Sequence, residues 1–239
     1  MAEALAEAGA TVYCLDLPIV PDKAFHVAQA YVSKLGLAGN ARLEYRSVNV
    51  ADQKAIWDVI EIIAEKEGRL DVCIAAAGVL VAEPCLEHSK EGCQRQFKVN
   101  VDGVFYSAQA AGGQMTKFRV PGSIILITSV SEHLINRNRS STAYNTSKAA
   151  ILQMGRSLAC ELGPKNIRVN TVSLGYINTP TTEKTTEAQQ QTWDQCSSET
   201  PLGSMGKPNG LRGVAVWLAS DASAFCTGSD IMVTSGTQV

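Results

Sequence analysis

The stretch Ala-Tyr-Asn-Thr-Ser-Lys at positions 143–148 is the part of the sequence from which the fold can be deduced. A helix that begins near Ala143 places Tyr144 and Lys148 four residues apart, so the phenol and the ammonium lie on one face. A free tyrosine has a pKa of about 10, and an opposite charge within about 4–6 Å typically lowers it by roughly 1–3 units. We therefore expect Lys148 to lower the pKa of Tyr144 and the pair to transfer protons.

Ser131 lies thirteen positions before Tyr144, just past an apolar strand predicted over 123–128. From that position its hydroxyl can hold the substrate oxygen that Tyr144 protonates or deprotonates. A Tyr-x-x-x-Lys motif alone is most often an exposed pair on a helix. A serine at this offset, at the end of a buried strand, favours an active site instead.

This order and spacing of Ser131, Tyr144 and Lys148 resembles the short-chain dehydrogenase/reductase family, and the resemblance covers almost the whole chain. It implies a single domain over residues 1–239 with an α/β fold, a Rossmann-like doubly wound parallel sheet. It also implies hydride transfer between a nicotinamide cofactor and a carbon that bears a hydroxyl or carbonyl group. Tyr144 would act as general base or acid, Lys148 would hold the nicotinamide ribose, and Ser131 would orient the substrate oxygen.

The resemblance assigns a fourth catalytic residue, Asn100, to a long helix predicted from about Phe97 to Phe118. In the family this residue bends the helix and holds a water that links the lysine to solvent. An asparagine within a helix is unremarkable by itself. Its position relative to Ser131 and Tyr144 favours the role in a proton relay.

Family members have a strand and a Gly-rich turn before their first helix, and the amides of this turn bind the pyrophosphate. The sequence has no G-x-G-x-x-G or G-x-x-x-G-x-G pattern ahead of Asp16. The resemblance therefore implies an N-terminally truncated fold in which the first strand and the Gly-rich turn are absent. Two explanations are open. Either the start codon has been assigned to an internal methionine, which we favour, or the natural protein has lost the loop. For the chain as written we expect weak or no dinucleotide binding.

Other residues match positions that bind the cofactor in the family. Asp16, at the end of the strand predicted from Thr11, matches the acidic residue that binds the adenosine ribose, and its charge would repel a 2′-phosphate. This favours NAD, with NADP as a possibility, and a solvated acid at a strand end is the alternative interpretation. The resemblance gives further cofactor contacts to Asn49, Val50, Ala77, Gly78, Ile177 and Thr179, and also to Asn100, Tyr144 and Lys148.

Some positions depart from the family pattern. Residues 75–78 read Ala-Ala-Ala-Gly where Asn-Asn-Ala-Gly is usual, and Leu174 replaces a proline. Together with the missing loop, these departures motivate an alternative of another class, against which the four intact catalytic positions count. That alternative is a redox-inactive family member, either a cofactor-free isomerase or cyclase or a non-catalytic partner of a full-length homologue.

Composition limits the possible partners. The chain has 239 residues and a net charge of −2, without a basic face for nucleic acid or an anionic membrane, so a dissolved small molecule is the expected partner. Its seven cysteines are scattered without a C-x-x-C motif, as in reduced cytoplasmic proteins. The three histidines are not clustered, so we expect no metal site. No apolar run is long enough for a membrane span.

Two stretches of the sequence bear on the substrate. The stretches 131–137 and 176–179 are similar to fungal polyol dehydrogenases and ketose reductases, so a small polyol or ketose is our first choice and a secondary-metabolite alcohol or ketone the alternative. Residues 181–208 are polar and lack a core pattern, which in the family corresponds to the lid over the substrate. Trp193 would either line the pocket or anchor this lid.

The pattern also predicts local structure and assembly. Asp52 is expected to cap an amphipathic helix that ends near Gly68. The helix after Tyr144 is rich in apolar residues, and in the family it and the preceding helix pair with those of another subunit. A homodimer or homotetramer is therefore expected.

Overall fold

The computed structural model describes residues 1–36, 41–135, 140–179, 197–198 and 200–237. The strands are β1 (Thr11–Asp16), β2 (Arg42–Ser47), β3 (Val72–Ala75), β4 (Gly122–Ser129), β5 (Ile167–Leu174) and β6 (Asp230–Val233). The helices are α1 (Ala2–Glu7), α2 (Lys23–Lys34), α3 (Gln53–Glu67), α4 (Lys90–Phe97), α5 (Gly103–Phe118), α6 (Thr142–Leu162) and α7 (Arg212–Ala219).

All strand pairs in these ranges are parallel, as predicted. β1 pairs with β2, and a second sheet has the order β3-β4-β5-β6. The sequence predicts one doubly wound sheet. In the structure the strands form two separately hydrogen-bonded sheets, because within the described residues β1 pairs only with β2 and β3 only with β4. The residues of β1 and most of β3 are correspondingly only partly buried or exposed.

Helices cover both faces of the four-stranded sheet. On one face, Met115 of α5 and Ile151 of α6 belong to the same buried cluster as Leu126 of β4. On the other face, Leu218 of α7 packs with Ile125 of β4. Because both faces of β4 are covered, its sequence is a continuous apolar run rather than an alternating one.

Capping side chains define the ends of two helices. Asp52 Oδ1 accepts the N–H of Ala55 at 3.1 Å, and α3 ends at Gly68 with φ 71°, so the predicted cap and end of this helix are confirmed. Ser89 Oγ accepts the N–H of Gly92 at 3.1 Å and starts α4.

The long helix predicted from Phe97 begins earlier, at Lys90, and it is interrupted. α4 runs to Phe97, a π-helical turn follows over Lys98–Asp102, and α5 continues to Phe118. The predicted start was wrong because the residues of α4 are mostly polar and lack an apolar stripe. The π-helical turn contains Asn100, and such turns often occur at functional sites.

Most of the predicted lid, 181–208, lies outside the described residues, and so does Trp193. Of the lid, only 197–198 and 200–208 are described. In the ranges that the structure describes, the helices are too short or too polar to cross a lipid bilayer.

We expect Asp52→Ala to lower the free energy of unfolding by about 1 kcal/mol, because the N–H of Ala55 loses its acceptor. Urea denaturation measures this change. Asp58→Ala in the same helix is the matched control, since Asp58 pairs with fully exposed Lys54, and a surface ion pair of this kind contributes little to stability. Equal losses in the two variants would contradict the capping role of Asp52.

Candidate active site

The carboxyl ends of the parallel strands bring several predicted residues together. β3 ends at Ala75, β4 at Ser129 and β5 at Leu174, and parallel strands place these ends along one edge of the sheet. α6 packs against β4 and β5 beside this edge. Its first two turns carry Tyr144 and Lys148, so the structure brings the phenol and the amine to the strand ends as predicted.

Lys148 is buried although it carries an ionisable amine. It is 5% exposed, and its Nζ donates to the carbonyl of Ile127 at 3.1 Å. Nζ lies 5.8 Å from the centroid of the Tyr144 ring. Burial lowers the pKa of Lys148 to about 8, and the negative charge of Glu132 opposes this shift. The amine can therefore gain or lose a proton close to neutral pH.

The prediction that Lys148 lowers the pKa of Tyr144 is wrong for this structure. The pKa of Tyr144 is raised above its ordinary value, chiefly because burial disfavours the phenolate. A hydrogen bond with the Ser129 hydroxyl acts in the opposite direction, and the charge of Glu132 adds to the increase. In this structure it is the pKa of the amine, rather than that of the phenol, that moves towards neutrality.

Ser129, which the sequence analysis did not single out, is the side chain that hydrogen-bonds to the Tyr144 phenol. It ends β4 and caps the short 3₁₀ turn Val130–Glu132. Its Oγ accepts the N–H of Ser131 at 3.2 Å. Ser131 is half-buried in that turn, and no hydrogen bond joins its side chain to Tyr144 in the described residues, so its catalytic role stays a prediction.

Ser131 is favoured by the sequence for two reasons: its offset of thirteen positions from Tyr144, and its position just past a strand that is expected to end at Thr128. β4 extends one residue further, and its last side chain is Ser129. A serine at the last position of a buried strand, rather than at a fixed distance from the tyrosine, is the sequence signal that would have identified it.

Asn100 lies in the π-helical turn and is fully buried. Its Oδ1 accepts the N–H of Val79 at 2.8 Å, and its Nδ2 donates to the carbonyl of Val79 at 3.0 Å. Nδ2 also donates to Ser147 Oγ at 3.0 Å, and that hydroxyl bonds to the carbonyl of Tyr144 at 2.7 Å. Asn100 therefore ties the loop after β3 to the first turn of α6, while its part in a proton relay stays a prediction.

Gln96 makes a second clamp of the same kind, which sequence reasoning missed. It is fully buried, its Oε1 accepts the N–H of Val81 at 3.1 Å and its Nε2 donates to the carbonyl of Val81 at 3.3 Å. Gln96 and Asn100 are four residues apart, and this spacing of two carboxamides on one helix was the available signal.

Gly78 lies on the loop that these two clamps hold, and it is exposed, whereas Ala77 is half-buried. A Cβ at position 78 would stand 3.5 Å from both Asn100 Oδ1 and Lys148 Nζ. The absence of a side chain therefore leaves space directly above a buried amine and a buried carboxamide. Space of this kind, with polar atoms beneath it, fits the ribose of a dinucleotide.

Asp16, Asn49 and Val50 lie at the ends of the two-stranded sheet. The Asp16 side chain is exposed, and its Oδ1 accepts the N–H of Leu17 at 2.7 Å. Asn49 Oδ1 accepts the N–H of Ala51 at 3.0 Å, so this oxygen already serves the turn. Val50 packs against the start of α5. The exposed carboxylate of Asp16 fits a ribose, and the cofactor contacts of all three residues remain predictions.

Ile177 and Thr179 lie in the turn after β5, and both are half-buried. Ile177 forms a parallel bridge with Gly206, whose N–H donates to the carbonyl of Tyr176 at 2.9 Å. The described end of the predicted lid is thus attached to this turn. A pocket next to it is lined by Tyr176, Ile177, Leu202, Met205, Gly206 and Val233, among others.

One group of possible metal ligands occurs in the described residues: Glu132, His133 and Asp230. The sequence analysis expected no metal, since it considered the histidines and cysteines and not the carboxylates. His133 Nε2 lies 2.9 Å from Asp230 Oδ2, a hydrogen-bonding distance that satisfies both groups without an ion. We assign no metal to this cluster.

Comparisons with known proteins identify the family of the chain. A family model described as enoyl-(acyl carrier protein) reductase matches residues 1–238. The chain is 36% identical over 211 residues to sorbose reductase of Schizosaccharomyces pombe, an alignment that covers 87% of this chain and 81% of that protein. It is 30% identical over 221 residues to NADP-dependent mannitol dehydrogenase of Hypocrea jecorina, which covers 92% of this chain and 81% of the relative.

A solved structure gives the same result for the fold. The crystal structure of a short-chain type dehydrogenase/reductase from Mycobacterium marinum superposes with a TM-score of 0.89 at 33% identity, covering 99% of this chain and 89% of the other. The chain therefore belongs to the short-chain dehydrogenase/reductase family and is a nicotinamide-dependent oxidoreductase.

Proposed function

We propose that the chain interconverts a small polyol and the corresponding ketose at the site around Tyr144. The observation that carries the proposal is the buried Lys148 amine beside the phenol, at the carboxyl ends of β4 and β5. The names of the sorbose reductase and mannitol dehydrogenase relatives support a polyol or ketose substrate. The family model's description, an acyl carrier protein reductase, makes an acyl thioester substrate the rival.

Tyr144 takes the proton of the substrate hydroxyl in oxidation and returns it to the carbonyl oxygen in reduction. When bound, the nicotinamide ring accepts or supplies the hydride. The Ser129 hydroxyl hydrogen-bonds to the phenol and stabilises the phenolate that results from proton loss. Ser131, on the adjoining turn, is proposed to orient the substrate oxygen.

Lys148 is proposed to pass the proton on from the phenol. Its pKa of about 8 means that both protonation states of the amine are populated near that pH. Exposed Gly78 leaves an opening beside Nζ, and the carboxamide of Asn100 lies at the same opening. Asn100 thus supports the relay by holding the loop that forms this opening, and it contributes a carbonyl oxygen there.

For the cofactor we propose Asp16, Asn49, Val50, Ala77, Gly78, Ile177 and Thr179 as contacts, together with Lys148, Tyr144 and Asn100. Asp16 is the only one of these residues with a negative charge, and that charge disfavours a 2′-phosphate. NAD is therefore the proposed cofactor. The mannitol dehydrogenase relative is named as NADP-dependent. Substitutions at Asp16 therefore test whether this chain differs from that relative in its preference for NAD over NADP.

We further propose that the chain assembles as a homodimer or homotetramer through α5 and α6. Phe105 on α5 is 37% exposed, a large apolar side chain on a helix that the family uses for assembly. A cytoplasmic location is part of the same proposal, because the cysteines in the described residues are free thiols.

The function is tested by assaying the purified chain with NAD or NADP against sorbose, arabinitol, mannitol and a crotonyl thioester, whose C=C bond is the one an enoyl reductase reduces. We expect turnover of a polyol or ketose to exceed that of the thioester. We expect Tyr144→Phe to lower the turnover rate by roughly 10²–10⁴-fold while the melting temperature changes little, since only a hydroxyl is removed. Preferential reduction of the thioester would contradict the proposed substrate class.

Tyr31→Phe is the matched control for this substitution. Tyr31 is exposed on α2, and its hydroxyl donates to Glu7 at 2.9 Å, so the variant loses one hydrogen bond away from the site. Its activity should equal that of the unmodified chain. Undiminished activity of Tyr144→Phe would refute the role of the phenol.

The two serines are separated by comparing Ser129→Ala with Ser131→Ala. We expect Ser129→Ala to lower kcat/KM by about 100-fold, because the phenolate loses its hydrogen-bond donor. Ser131→Ala should lower kcat/KM less, mainly through a higher KM for the substrate. A loss of kcat that is larger in Ser131→Ala than in Ser129→Ala would show that Ser131, rather than Ser129, has the principal role.

Asp16 is tested by the ratio of kcat/KM for NAD to kcat/KM for NADP. We expect the unmodified chain to favour NAD, and Asp16→Ser to shift the ratio at least about tenfold towards NADP, because removing the charge removes the repulsion of a 2′-phosphate. Asp16→Asn, which keeps an acceptor oxygen, should shift the ratio in the same direction. An unmodified chain that already favours NADP would contradict this assignment.

A further inference from the structure

Glu132 is a carboxylate whose side chain is completely buried directly behind the catalytic groups. A buried charge is strongly unfavourable unless donors surround it. The side chain is closed off from solvent, so it has no surface with which to touch a substrate. Its function must therefore be exerted through its protein neighbours.

Three donors converge on the Glu132 carboxylate. Its Oε2 accepts the backbone N–H of Ser129 at 2.8 Å. Its Oε1 accepts from the Thr128 hydroxyl and lies 2.5 Å from Ser173 Oγ, whose single proton is shared between Glu132 and Asp230. With the bond from the Ser131 N–H to Ser129 Oγ, these contacts form a reciprocal capping box around the 3₁₀ turn.

The capping box fixes the orientation of the Ser129 hydroxyl. One lone pair of Oγ accepts the Ser131 N–H, and the backbone of Ser129 is held by Glu132, so the hydroxyl proton remains available for the phenol. We propose that Glu132 is a positioning residue of the active site, which holds the Ser129 hydroxyl against Tyr144 and applies its buried negative charge to the Tyr144–Lys148 pair. The proposal rests on the proposed function of that pair.

The two effects of Glu132 on Tyr144 have opposite signs. Its charge raises the pKa of Tyr144 and also that of Lys148, in each case as a smaller contribution than burial. The Ser129 hydroxyl that Glu132 holds lowers the pKa of Tyr144. Neutralising Glu132 while keeping its hydrogen bonds should therefore lower both pKa values.

The other ionisable groups around Glu132 are few in the described residues. From α6 they are Tyr144 and Lys148. On its own turn, His133 Nε2 lies 3.9 Å from Glu132 Oε1. From β6, Asp230 shares the Ser173 hydroxyl with Glu132, at 2.7 and 2.8 Å from that oxygen. The contribution of β5 to this network, through Ser173, is uncharged.

The test is Glu132→Gln, because the amide keeps one acceptor for the Ser129 N–H while its NH₂ donates to the neighbouring hydroxyls. The first readout is the near-ultraviolet absorbance of tyrosinate during a pH titration, with the Tyr144→Phe curve subtracted in each background. We expect the midpoint for Tyr144 to fall by about one pH unit. The second readout is the pH dependence of alcohol oxidation, whose acid limb should move to lower pH.

The controls separate charge from position. Asp230→Asn removes a charge from the same hydrogen-bond network, but Asp230 meets Glu132 through the shared Ser173 hydroxyl and has no hydrogen bond to Tyr144 or Lys148 in the described residues, so both midpoints should move less than in Glu132→Gln. Glu132→Asp keeps the charge and withdraws it by one methylene. It should leave the acid limb nearly unchanged and lower kcat several-fold, because Ser129 is held less well.

An unchanged tyrosinate midpoint in Glu132→Gln, or an equal shift in Asp230→Asn, would overturn the proposal. If Glu132→Gln does not fold, Glu132→Asp is the deciding variant. A kcat of Glu132→Asp equal to that of the unmodified chain would then overturn the proposal. The titration needs neither substrate nor cofactor. A chain that oxidises no polyol would therefore refute the proposed substrate while leaving the answer on Glu132 intact.

Discussion

The burial of the Lys148 amine is the constraint on which the rest of the site depends. An amine removed from water requires a polar partner, and the carbonyl of Ile127 in β4 supplies it. This contact fixes α6 against the central strand and places Tyr144 beside the end of that strand. The same burial lowers the pKa of the amine to about 8. The packing of Lys148 therefore determines both the position of Tyr144 and the pH range in which the amine exchanges protons.

Carboxamides hold the loop that completes the site. Gln96 and Asn100 bind the main chain of Val81 and Val79 on both donor and acceptor atoms, and Asn100 continues to α6 through Ser147. The π-helical turn is what allows Asn100 to point into this position between two helices. The loop after β3 is consequently hydrogen-bonded directly after Gly78, although Ala75 and Ala76 offer no side-chain hydrogen bonds.

The end of β4 concentrates polar groups in an otherwise apolar core. The hydroxyls of Thr128 and Ser173 and the N–H of Ser129 lie against the carboxylates of Glu132 and Asp230, while the Ser129 hydroxyl accepts the N–H of Ser131. Such a network is stable only when nearly every member is satisfied. The Ser129 hydroxyl thus belongs to a set of groups whose positions are mutually determined.

The sequence by itself determined the alternation of parallel strands and helices, the cap at Asp52, the end of α3 at Gly68, and the placement of Tyr144 and Lys148 on one helical face. These features follow from local periodicity and capping, which act over a few residues. Only the tertiary structure decided that the pKa of Tyr144 is raised, that Ser129 meets the phenol, that a π-helical turn carries Asn100, and that Glu132 is buried behind them. Burial and contacts between residues distant along the chain determine these properties, because the desolvation of a charge depends on every element packed around it.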